Sequence, residues 1–307
     1  MVTNIVSFPE LNLEFTIPET LGKTNIHWYG VIIAVGFLLA IIYTMSRAKT
    51  FGIISDKVID VAILGTIGGI VGARAYYVIF HFDSFKDNLL SIFEIWNGGI
   101  AIYGGIIGGL LVGALACKLY KVKVLTMIDL AVLGYLIGQG IGRWGNFVNG
   151  EAYGADMVKI LPWGMQITEV YNGTVLGQTS VVHPCFLYES LWCILGFVLL
   201  HFYSKHRKFD GEILLMYLAW YGFERFFVES LRTDSLYIPN TEIRVSQLVA
   251  AVCVVVATTL WVIIRVKIKG KTNLVYGNTD EAQDIIKEYE EAQKNKKKTK
   301  KEEQENG

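Results

Sequence analysis

Residues 138–154 read GQGIGRWGNFVNGEAYG, and they close an apolar run that covers residues 127–147. Four polar side chains appear within nine residues at the end of this run: Arg143, Asn146, Asn149 and Glu151. A run of roughly 20 apolar residues can cross a bilayer, and polar groups in such a run cost free energy unless they have partners. The stretch therefore predicts a membrane helix whose end carries polar groups that need a polar ligand or each other.

The glycines of this stretch give access to its polar face. If the helix continues to Asn146, then Arg143 and Asn146 stand three residues apart and share a face. Gly140, Gly142 and Gly145 remove the side chains that would keep another molecule away from that face. We expect a cationic, hydrogen-bonding pocket that is entered from an apolar environment. The same glycines match GxGxxG, but no strand pattern surrounds them, so a dinucleotide site is excluded.

The composition indicates a protein embedded in lipid. Of the 307 residues, 52% are hydrophobic and 18% are charged, and the mean hydropathy is +0.40. The net charge of zero is uninformative about partners, and we expect no nucleic-acid partner. The four cysteines lie in apolar segments without metal-ligand spacing, so we expect packing residues, no metal and no cofactor. We also expect no cleavable signal peptide.

Apolar runs long enough for a hydrocarbon core of ~30 Å recur along the chain. We predict membrane helices at residues 28–45, 58–80, 98–119, 127–147, 184–203, 211–228 and 245–268. The predicted fold class is an all-α polytopic membrane protein with about seven transmembrane helices.

The Lys and Arg residues alternate between the connections and predict the orientation. The odd connections and the segment after run seven are rich in them: Arg47, Lys49, Lys57, Lys118, Lys121, Lys123, Lys205, Arg207, Lys208, Arg265, Lys267, Lys269 and Lys271. The alternate connections carry few: Lys86, Lys159, Arg232 and Arg244. Because positive residues stay on the cytoplasmic side, we predict an N-terminus outside and a cytoplasmic C-terminus.

We predict two functional regions. Residues 1–271 form a transmembrane catalytic domain, whose outer loop 148–182 has a turn signal at Asn172-Gly173 that indicates a small β-hairpin. Residues 272–307 form a charged, partly disordered cytoplasmic tail. We expect a helix over 280–293 and disorder in the run KNKKKTKKEE at 294–303, which can touch anionic lipid.

Glycine recurs with four-residue spacing in runs two to four. The pairs are Gly65/Gly69, Gly68/Gly72, Gly104/Gly108, Gly109/Gly113, Gly134/Gly138 and Gly138/Gly142. Such spacing lets helix backbones approach closely, so that van der Waals contact drives their association. We interpret these glycines first as a packing device.

A second polar group lies near the outer end of run six. Four residues at i, i+4, i+8 and i+11 form one helical stripe, with aromatic and apolar residues on the other faces: Tyr221, Arg225, Glu229 and Arg232. An Arg225/Glu229 pair alone is equally consistent with a bridge that only holds two helices together. Because Arg143 approaches the same leaflet from another helix, the two arginines favour an anion site, where a guanidinium can bind a phosphate bidentately.

Four further residues near the outer side carry separate signals. We interpret Arg74 as structural rather than as a phosphate contact, and His183, before Pro184, as an interfacial residue rather than a proton acceptor. Trp28 fits an aromatic belt. Tyr103 differs, because four glycines surround this phenol within a membrane span, where it can donate to an oxyanion or exchange a proton.

The stretch GRWGNFVNGEAYG at 142–154 is similar to the signature of the bacterial prolipoprotein diacylglyceryl transferases, which has the form G-R-x-G/A-N-F-x-N-x-E-x-x-G. The resemblance covers the transmembrane body and leaves out the C-terminal tail. Its other parts are the opening Trp28-Tyr29-Gly30, the GGxxxxGG segment, His183-Pro184, Leu187-Tyr188-Glu189 and the stripe of run six.

This resemblance implies a seven-helix plasma-membrane enzyme without a cofactor. Its reaction moves the diacylglyceryl group from phosphatidylglycerol to the lipobox cysteine of a prolipoprotein, forms a thioether and releases glycerol 1-phosphate. In the family, the residue matching Arg143 binds phosphatidylglycerol, the one matching Asn146 is essential, and the one matching Arg225 is linked to catalysis. We assign catalytic roles to Arg143, Arg225, Tyr103 and Glu229. We assign substrate binding to Arg143, Asn146, Tyr29, Asn149, Glu151, Gly154 and Tyr221.

One residue departs from the family pattern. Many members have histidine in the glycine-rich segment, as HGG, where it has been discussed as a base, whereas this chain has Tyr103. A tyrosine with a reference pKa of about 10 is a poor base at neutral pH. Either the base is not essential or another group supplies it. The thiol can also ionise in the positive potential of the arginines, with Tyr103 or Glu229 taking the proton or orienting the groups, while Glu151 and Asn149 hold the Arg143 loop.

Two alternatives belong to other classes of protein. A transporter with broken, glycine-rich helices predicts an inverted repeat, but the Arg143 motif has no counterpart in runs five to seven. A lipid-binding scaffold predicts binding without chemistry. Transfer of label from phosphatidylglycerol to a lipobox peptide separates the enzyme from both alternatives.

Overall fold

The computed structural model describes residues 2–22, 24, 26–86, 88–157, 161–271 and 274–305 of the chain. Within them, eight α-helices alternate with short 3₁₀ turns: α1 Trp28–Arg47, α2 Ser55–Phe80, α3 Ile102–Leu119, α4 Val124–Asn149, α5 Cys185–Tyr203, α6 Glu212–Leu231, α7 Val245–Lys267 and α8 Asp280–Glu305. Four strands accompany these helices: β1 Val2–Phe8, β2 Leu13–Pro18, β3 Gln166–Tyr171 and β4 Thr174–Gln178.

Six segments of the described chain are long and apolar enough to cross a membrane. They are Trp28–Phe51, Ser55–Phe80, Ile102–Leu119, Val124–Asn149, Cys185–His206 and Val245–Lys267. The predicted polytopic membrane protein is therefore confirmed. The predicted all-α class is corrected to a mostly helical one, because a four-stranded sheet accompanies the helices. The predicted run 211–228 is also helical, as α6, whose 20 residues include Glu212, Glu224, Arg225 and Glu229. Any 18 consecutive residues of α6 contain at least three charges, whereas each of the six apolar segments has an 18-residue stretch with at most two.

The chain divides into two compact units. One comprises Met1–Ile42 with Ala131–Thr272, and the other comprises Tyr43–Leu130 with Asn273–Gly307. The predicted functional regions, 1–271 and 272–307, divide the chain by role and stay a prediction. Their boundary at residue 272, and residues 158–160 of the predicted outer loop, lie outside the described residues.

The first unit contains an antiparallel sheet in the order β2-β1-β3-β4. The predicted hairpin in the outer loop is present as β3 and β4, joined by Asn172 and Gly173, both with positive φ. Strands β1 and β2 were not predicted from the sequence. In β1, Val6 faces Phe15 on one side and Ile167 on the other, and both Val6 and Ile167 are buried. Burial of alternate residues of β1 thus holds the N-terminal segment to the loop that carries β3 and β4.

In the second unit, α2 and α3 pack through glycine. A Cβ at Gly72 would lie 2.4 Å from the carbonyl oxygen of Gly104, and one at Gly108 would lie 2.3 Å from that of Gly68. The predicted close approach is confirmed for these pairs. It is looser at Gly113: a Cβ at Gly65 would lie 3.8 Å from the Gly113 Cα, and a Cβ at Gly113 would meet nothing within 4 Å. The four-residue spacing predicted a close approach at Gly113 as much as at Gly72 or Gly108. Spacing does not show which glycine faces the neighbouring helix.

The tail also belongs to the second unit. Ala282 of α8 is fully buried, and a Cβ at Gly52 would lie 2.8 Å from its Cβ, while Lys49 and Glu290 pair at 2.5 Å. The helix predicted over 280–293 is confirmed. It continues through 294–303, which we expected to be disordered. That run lacks glycine and proline and is rich in lysine and glutamate, which have high helix propensity.

Candidate active site

Three arginines of the first unit converge on one buried carboxylate, that of Glu189 on α5. Arg143 Nη2, on α4, lies 2.6 Å from Glu189 Oε2. Arg225 Nη1, on α6, donates to both carboxylate oxygens at 3.3 Å, and Arg232 Nη1, at the end of α6, lies 3.7 Å from Oε1. Glu189 is 1% exposed. We call this set, together with Glu229 and Tyr221, the arginine–glutamate cluster.

The cluster has further internal bonds. Arg225 Nη2 pairs with Glu229 Oε2 at 2.5 Å, and Arg143 Nη2 donates to the Tyr221 hydroxyl at 3.2 Å. Arg232 also pairs with Asp234 at 2.5 Å. Removing one partner from a buried ion pair leaves an uncompensated charge, which costs about 3–5 kcal/mol. The carboxylates thus fix the guanidinium groups in place.

The structure brings together four of the residues that we assigned from the sequence. Arg143, Tyr221, Arg225 and Glu229 meet in the cluster, and Arg232 of the stripe joins them. The Arg225/Glu229 pair exists, but it is not self-contained, because Arg225 also holds Glu189. The catalytic roles assigned to Arg143, Arg225 and Glu229 stay predictions.

The remaining polar residues of the signature form a second set at the end of α4. Glu151 Oε1 accepts hydrogen bonds from the side-chain amides of Asn146 and Asn149, each at 3.2 Å. Glu151 thus links the two asparagines of the signature through side-chain hydrogen bonds. Tyr29 packs its ring against Gly145, where a Cβ would lie 2.7 Å from it.

Gly154 occupies a place where a side chain does not fit. Its N–H donates to the carbonyl of His183 at 2.9 Å. A Cβ would lie 2.7 Å from the His183 Cβ and 2.9 Å from the Cys185 Sγ. Gly154 therefore joins the signature to the start of α5, which carries Glu189.

A cavity of about 740 Å³ adjoins this second set. Tyr29, Asn149 and Glu151 line it, and Asn4 of β1 and Glu169 of β3 lie in its wall. Three residues assigned to substrate binding therefore face one space between the signature and the sheet.

Tyr103 lies in the second unit, as the second residue of α3, and 37% of it is exposed. A Cβ at the next residue, Gly104, would lie 2.3 Å from the carbonyl oxygen of Gly72, so the backbone beside the phenol is held against α2. The part that we assigned to Tyr103 in the reaction stays a prediction.

Two other arginine and histidine signals have structural explanations. Arg74 is 8% exposed, and its guanidinium donates to backbone carbonyls, including those of Ile92 and Gly98 at 2.8 Å, as the structural interpretation requires. Burial lowers the pKa of His183 below its usual range, and its Nδ1 lies 3.2 Å from the Tyr188 hydroxyl. Burial therefore favours the neutral form of His183.

Sequence reasoning gave no role to two buried carboxyl groups of this region. Glu189 had a usable signal, because it is the one acidic residue of α5 and an ionisable residue inside an apolar span marks a site by default. Glu224 lies on a face of run six that we described as aromatic and apolar, which was wrong. It is only 6% exposed. Nothing in the sequence indicates this burial, because Glu224 directly precedes the charged residue Arg225.

The apolar helices and the buried charges define a multi-pass membrane protein with a charged site inside the helical region. Residues 17–263 match the family model of prolipoprotein diacylglyceryl transferase. The chain therefore belongs to the prolipoprotein diacylglyceryl transferase family. The expected family and the expected enzyme class, a transferase, are confirmed.

Curated relatives cover most of the chain. It is 38% identical over 258 residues to a phosphatidylglycerol–prolipoprotein diacylglyceryl transferase of Staphylococcus haemolyticus, covering 83% of this chain and 91% of the relative. It is 40% identical over 247 residues to the protein of that name in Staphylococcus carnosus, covering 80% and 89%. The protein of that name in Staphylococcus aureus strain Newman is 39% identical over the same length.

Proposed function

We propose that this chain transfers the diacylglyceryl group of phosphatidylglycerol to the cysteine thiol of a prolipoprotein, which is the first step of lipoprotein maturation. The family and the names of its relatives support this reaction. The observation that carries it is the convergence of Arg143, Arg225 and Arg232 on one buried carboxylate. Such a set of donors also fits the oxygens of a phosphate.

The reaction forms a carbon–sulfur bond and breaks the bond between the glycerol carbon and a phosphate oxygen. Negative charge therefore builds on the departing phosphate. Arg143 and Arg225 stabilise that charge, a contribution typically worth a few kcal/mol per donor. The positive potential of the same arginines favours the thiolate of the incoming cysteine.

Glu189 holds the arginines in place before the lipid binds. When phosphatidylglycerol enters, its phosphate shares the guanidinium donors with Glu189, so the donors need little rearrangement. Glu229 orients Arg225 from the other side. Tyr221 orients Arg143 through its hydroxyl.

The second polar set binds the rest of the substrates. Asn146, Asn149 and Glu151 are linked by hydrogen bonds, and Tyr29 and Asn149 line the same cavity. Gly154 keeps this set joined to α5. We assign Tyr103 the role of a hydrogen-bond donor near the glycerol phosphate.

We further propose that the protein acceptor is the lipobox segment and that the enzyme is a multi-pass protein of the cell membrane with no nucleic-acid partner. Seven transmembrane helices, including α6, an outside N-terminus and a cytoplasmic tail fit the alternation of Lys and Arg. Residues 1–271 then form the catalytic domain, and residues 272–307 the charged cytoplasmic tail.

The direct test uses the purified protein, phosphatidylglycerol labelled in its acyl chains and a lipobox peptide. We expect label on the peptide and release of glycerol phosphate. A peptide with serine in place of the cysteine is the matched control and should stay unlabelled. Lipid binding without transfer would favour a scaffold, and movement of labelled lipid or phosphate across vesicles without a covalent product would favour a transporter.

A further inference from the structure

The Glu224 carboxyl on α6 is buried without a partner. The residue is 6% exposed, and neither of its carboxyl oxygens has a hydrogen-bond partner among the described residues. Glu212, at the start of the same helix, is fully buried too, but it accepts hydrogen bonds from Arg265 Nε at 2.7 Å and Trp261 Nε1 at 2.9 Å. Burial in this helix therefore does not by itself leave a carboxyl unsatisfied.

Glu224 borders the arginine–glutamate cluster. The charged and titratable groups that interact electrostatically with it come from α4, α5 and α6: Arg143, Cys185, Glu189, Cys193, Tyr221 and Arg225. It nevertheless makes no ion pair with those arginines within the described residues, because Glu189 and Glu229 take their guanidinium groups.

The two neighbouring carboxyls are held in different states. Glu189 has three guanidinium partners and is ionised. A buried carboxylate with no donor costs several kcal/mol, and a group in that position keeps its proton instead. The surroundings therefore favour a neutral Glu224 beside an ionised Glu189. Two carboxyls whose surroundings enforce opposite protonation states are typical of acid–base chemistry.

We propose that Glu224 is a catalytic residue that relays the proton of the substrate thiol to the departing glycerol phosphate. This inference rests on the proposed function. One carboxyl oxygen takes the proton from sulfur while the other gives its proton to the phosphate oxygen. The carbon–sulfur bond forms as the carbon–oxygen bond breaks.

The relay balances without another reactant. Glu224 is neutral before and after the step, and glycerol 1-phosphate leaves with the proton that the thiol lost. Both oxygens take part, one as acceptor and one as donor, and both lack partners in the structure. The relay also supplies a proton acceptor, a role for which a phenol with a reference pKa of about 10 is poorly suited.

The first experiment substitutes Glu224→Gln, which keeps a neutral side chain of the same shape and cannot relay a proton. We expect the variant to bind phosphatidylglycerol vesicles within about twofold of wild type. Its transfer to a cysteine lipobox peptide should fall at least about 100-fold, the usual range for loss of acid–base catalysis. Transfer within threefold of wild type would show that Glu224 is not the relay.

A selenocysteine lipobox peptide separates proton transfer from structure. A selenol is already ionised at neutral pH, so the variant should transfer lipid to it within about 10-fold of wild type. An equal loss with the cysteine and selenocysteine peptides would mean that Glu224 supports the site only structurally. Glu212→Gln is the matched control, because it should lower the melting temperature and leave the ratio of the two rates unchanged.

A measurement on the wild-type protein covers the case in which Glu224→Gln does not fold. The infrared spectrum at neutral pH should contain the carbonyl band of a buried protonated carboxyl, and Glu224→Asp should shift it. A spectrum without such a band contradicts the relay. Because wild-type transfer is measured in parallel, a wild type that labels no peptide contradicts the proposed function, whereas an active Glu224→Gln contradicts the relay alone.

Discussion

The Arg143 guanidinium has both a charge and a shape, and two substitutions separate them. It contacts Glu189 at 2.6 Å and the Tyr221 hydroxyl at 3.2 Å. Lysine keeps the charge but lacks the planar fork, so we expect Arg143→Lys to fold and to lose at least about 10-fold in kcat/KM for label transfer. Arg143→Ala should lose about 100- to 1,000-fold, as for a deleted oxyanion donor.

The control for the Arg143 substitutions is the thermal stability of each variant. Arg143→Ala leaves Glu189 with fewer partners, so the melting temperature must be measured beside the activity. A well-folded Arg143→Ala with near-wild-type transfer would remove Arg143 from the site.

Arg225 and Glu229 should act as one unit. Arg225→Ala should abolish transfer and weaken lipid binding, because Arg225 contacts both Glu189 and Glu229. Glu229→Gln should be milder, since an amide oxygen still accepts from the guanidinium. A double-mutant cycle on transfer rates measures the coupling, and additive losses would show that the two residues act independently.

Tyr103 should be a donor or spacer rather than a base. We expect Tyr103→Phe to lose modest activity, ~10-fold, which corresponds to about 1.4 kcal/mol for a lost hydrogen bond. Tyr103→His should keep substantial activity because an imidazole N–H also donates. Tyr103→Ala should be worse than Tyr103→Phe because it opens a void beside glycines. Complete inactivity of folded Tyr103→Phe across pH would show that the phenol transfers the proton.

Local patterns predicted the arginines and the signature, because a charged group in an apolar run is visible in the sequence itself. They could not predict which carboxylate the arginines share, since Glu189 is 46 positions after Arg143 and meets it only through the packing of α4 and α5. No role was predicted for Glu224, for a different reason. Adjacent residues on a helix point to different faces, so its neighbour Arg225 did not report its surroundings.

At the scale of helices, the α2–α3 contact gives a paired test. Gly104→Ala places a Cβ 2.3 Å from the Gly72 carbonyl oxygen, and the backbone must shift, which costs about 1–3 kcal/mol. Gly113→Ala meets nothing within 4 Å and should be neutral or slightly stabilising. The test is the melting temperature of each variant in detergent, which should be lower for Gly104→Ala than for Gly113→Ala. Equal melting temperatures would mean that the glycines do not hold the helices together.

The helices were predictable because their length and hydropathy are local properties. The strands β1 and β2 were not predictable in this way, because β1 is stabilised by β3, whose paired residues lie 159–169 positions later in the sequence. The end of α8 was missed because we interpreted its charge as a sign of disorder, whereas its residues also have high helix propensity.

At the scale of the whole chain, the proposed orientation can be tested from outside the cell. Single cysteines at Thr174→Cys and Thr279→Cys, in a background without the native cysteines, report opposite sides of the membrane. We expect an impermeant thiol reagent on intact cells to label Thr174→Cys only, as the Lys and Arg alternation requires. Labelling of Thr279→Cys but not Thr174→Cys would overturn the orientation.

The position of β1 between β2 and β3 also bears on how the chain folds as it is made. β1 and β2 are synthesised about 160 residues before β3, so the other edge of β1 has no partner until residues 166–171 have emerged. At 5–20 residues per second, that edge waits roughly 10–30 s. An unpaired strand edge is a template for wrong pairing. The β1 edge is therefore open to wrong pairing until β3 has been synthesised.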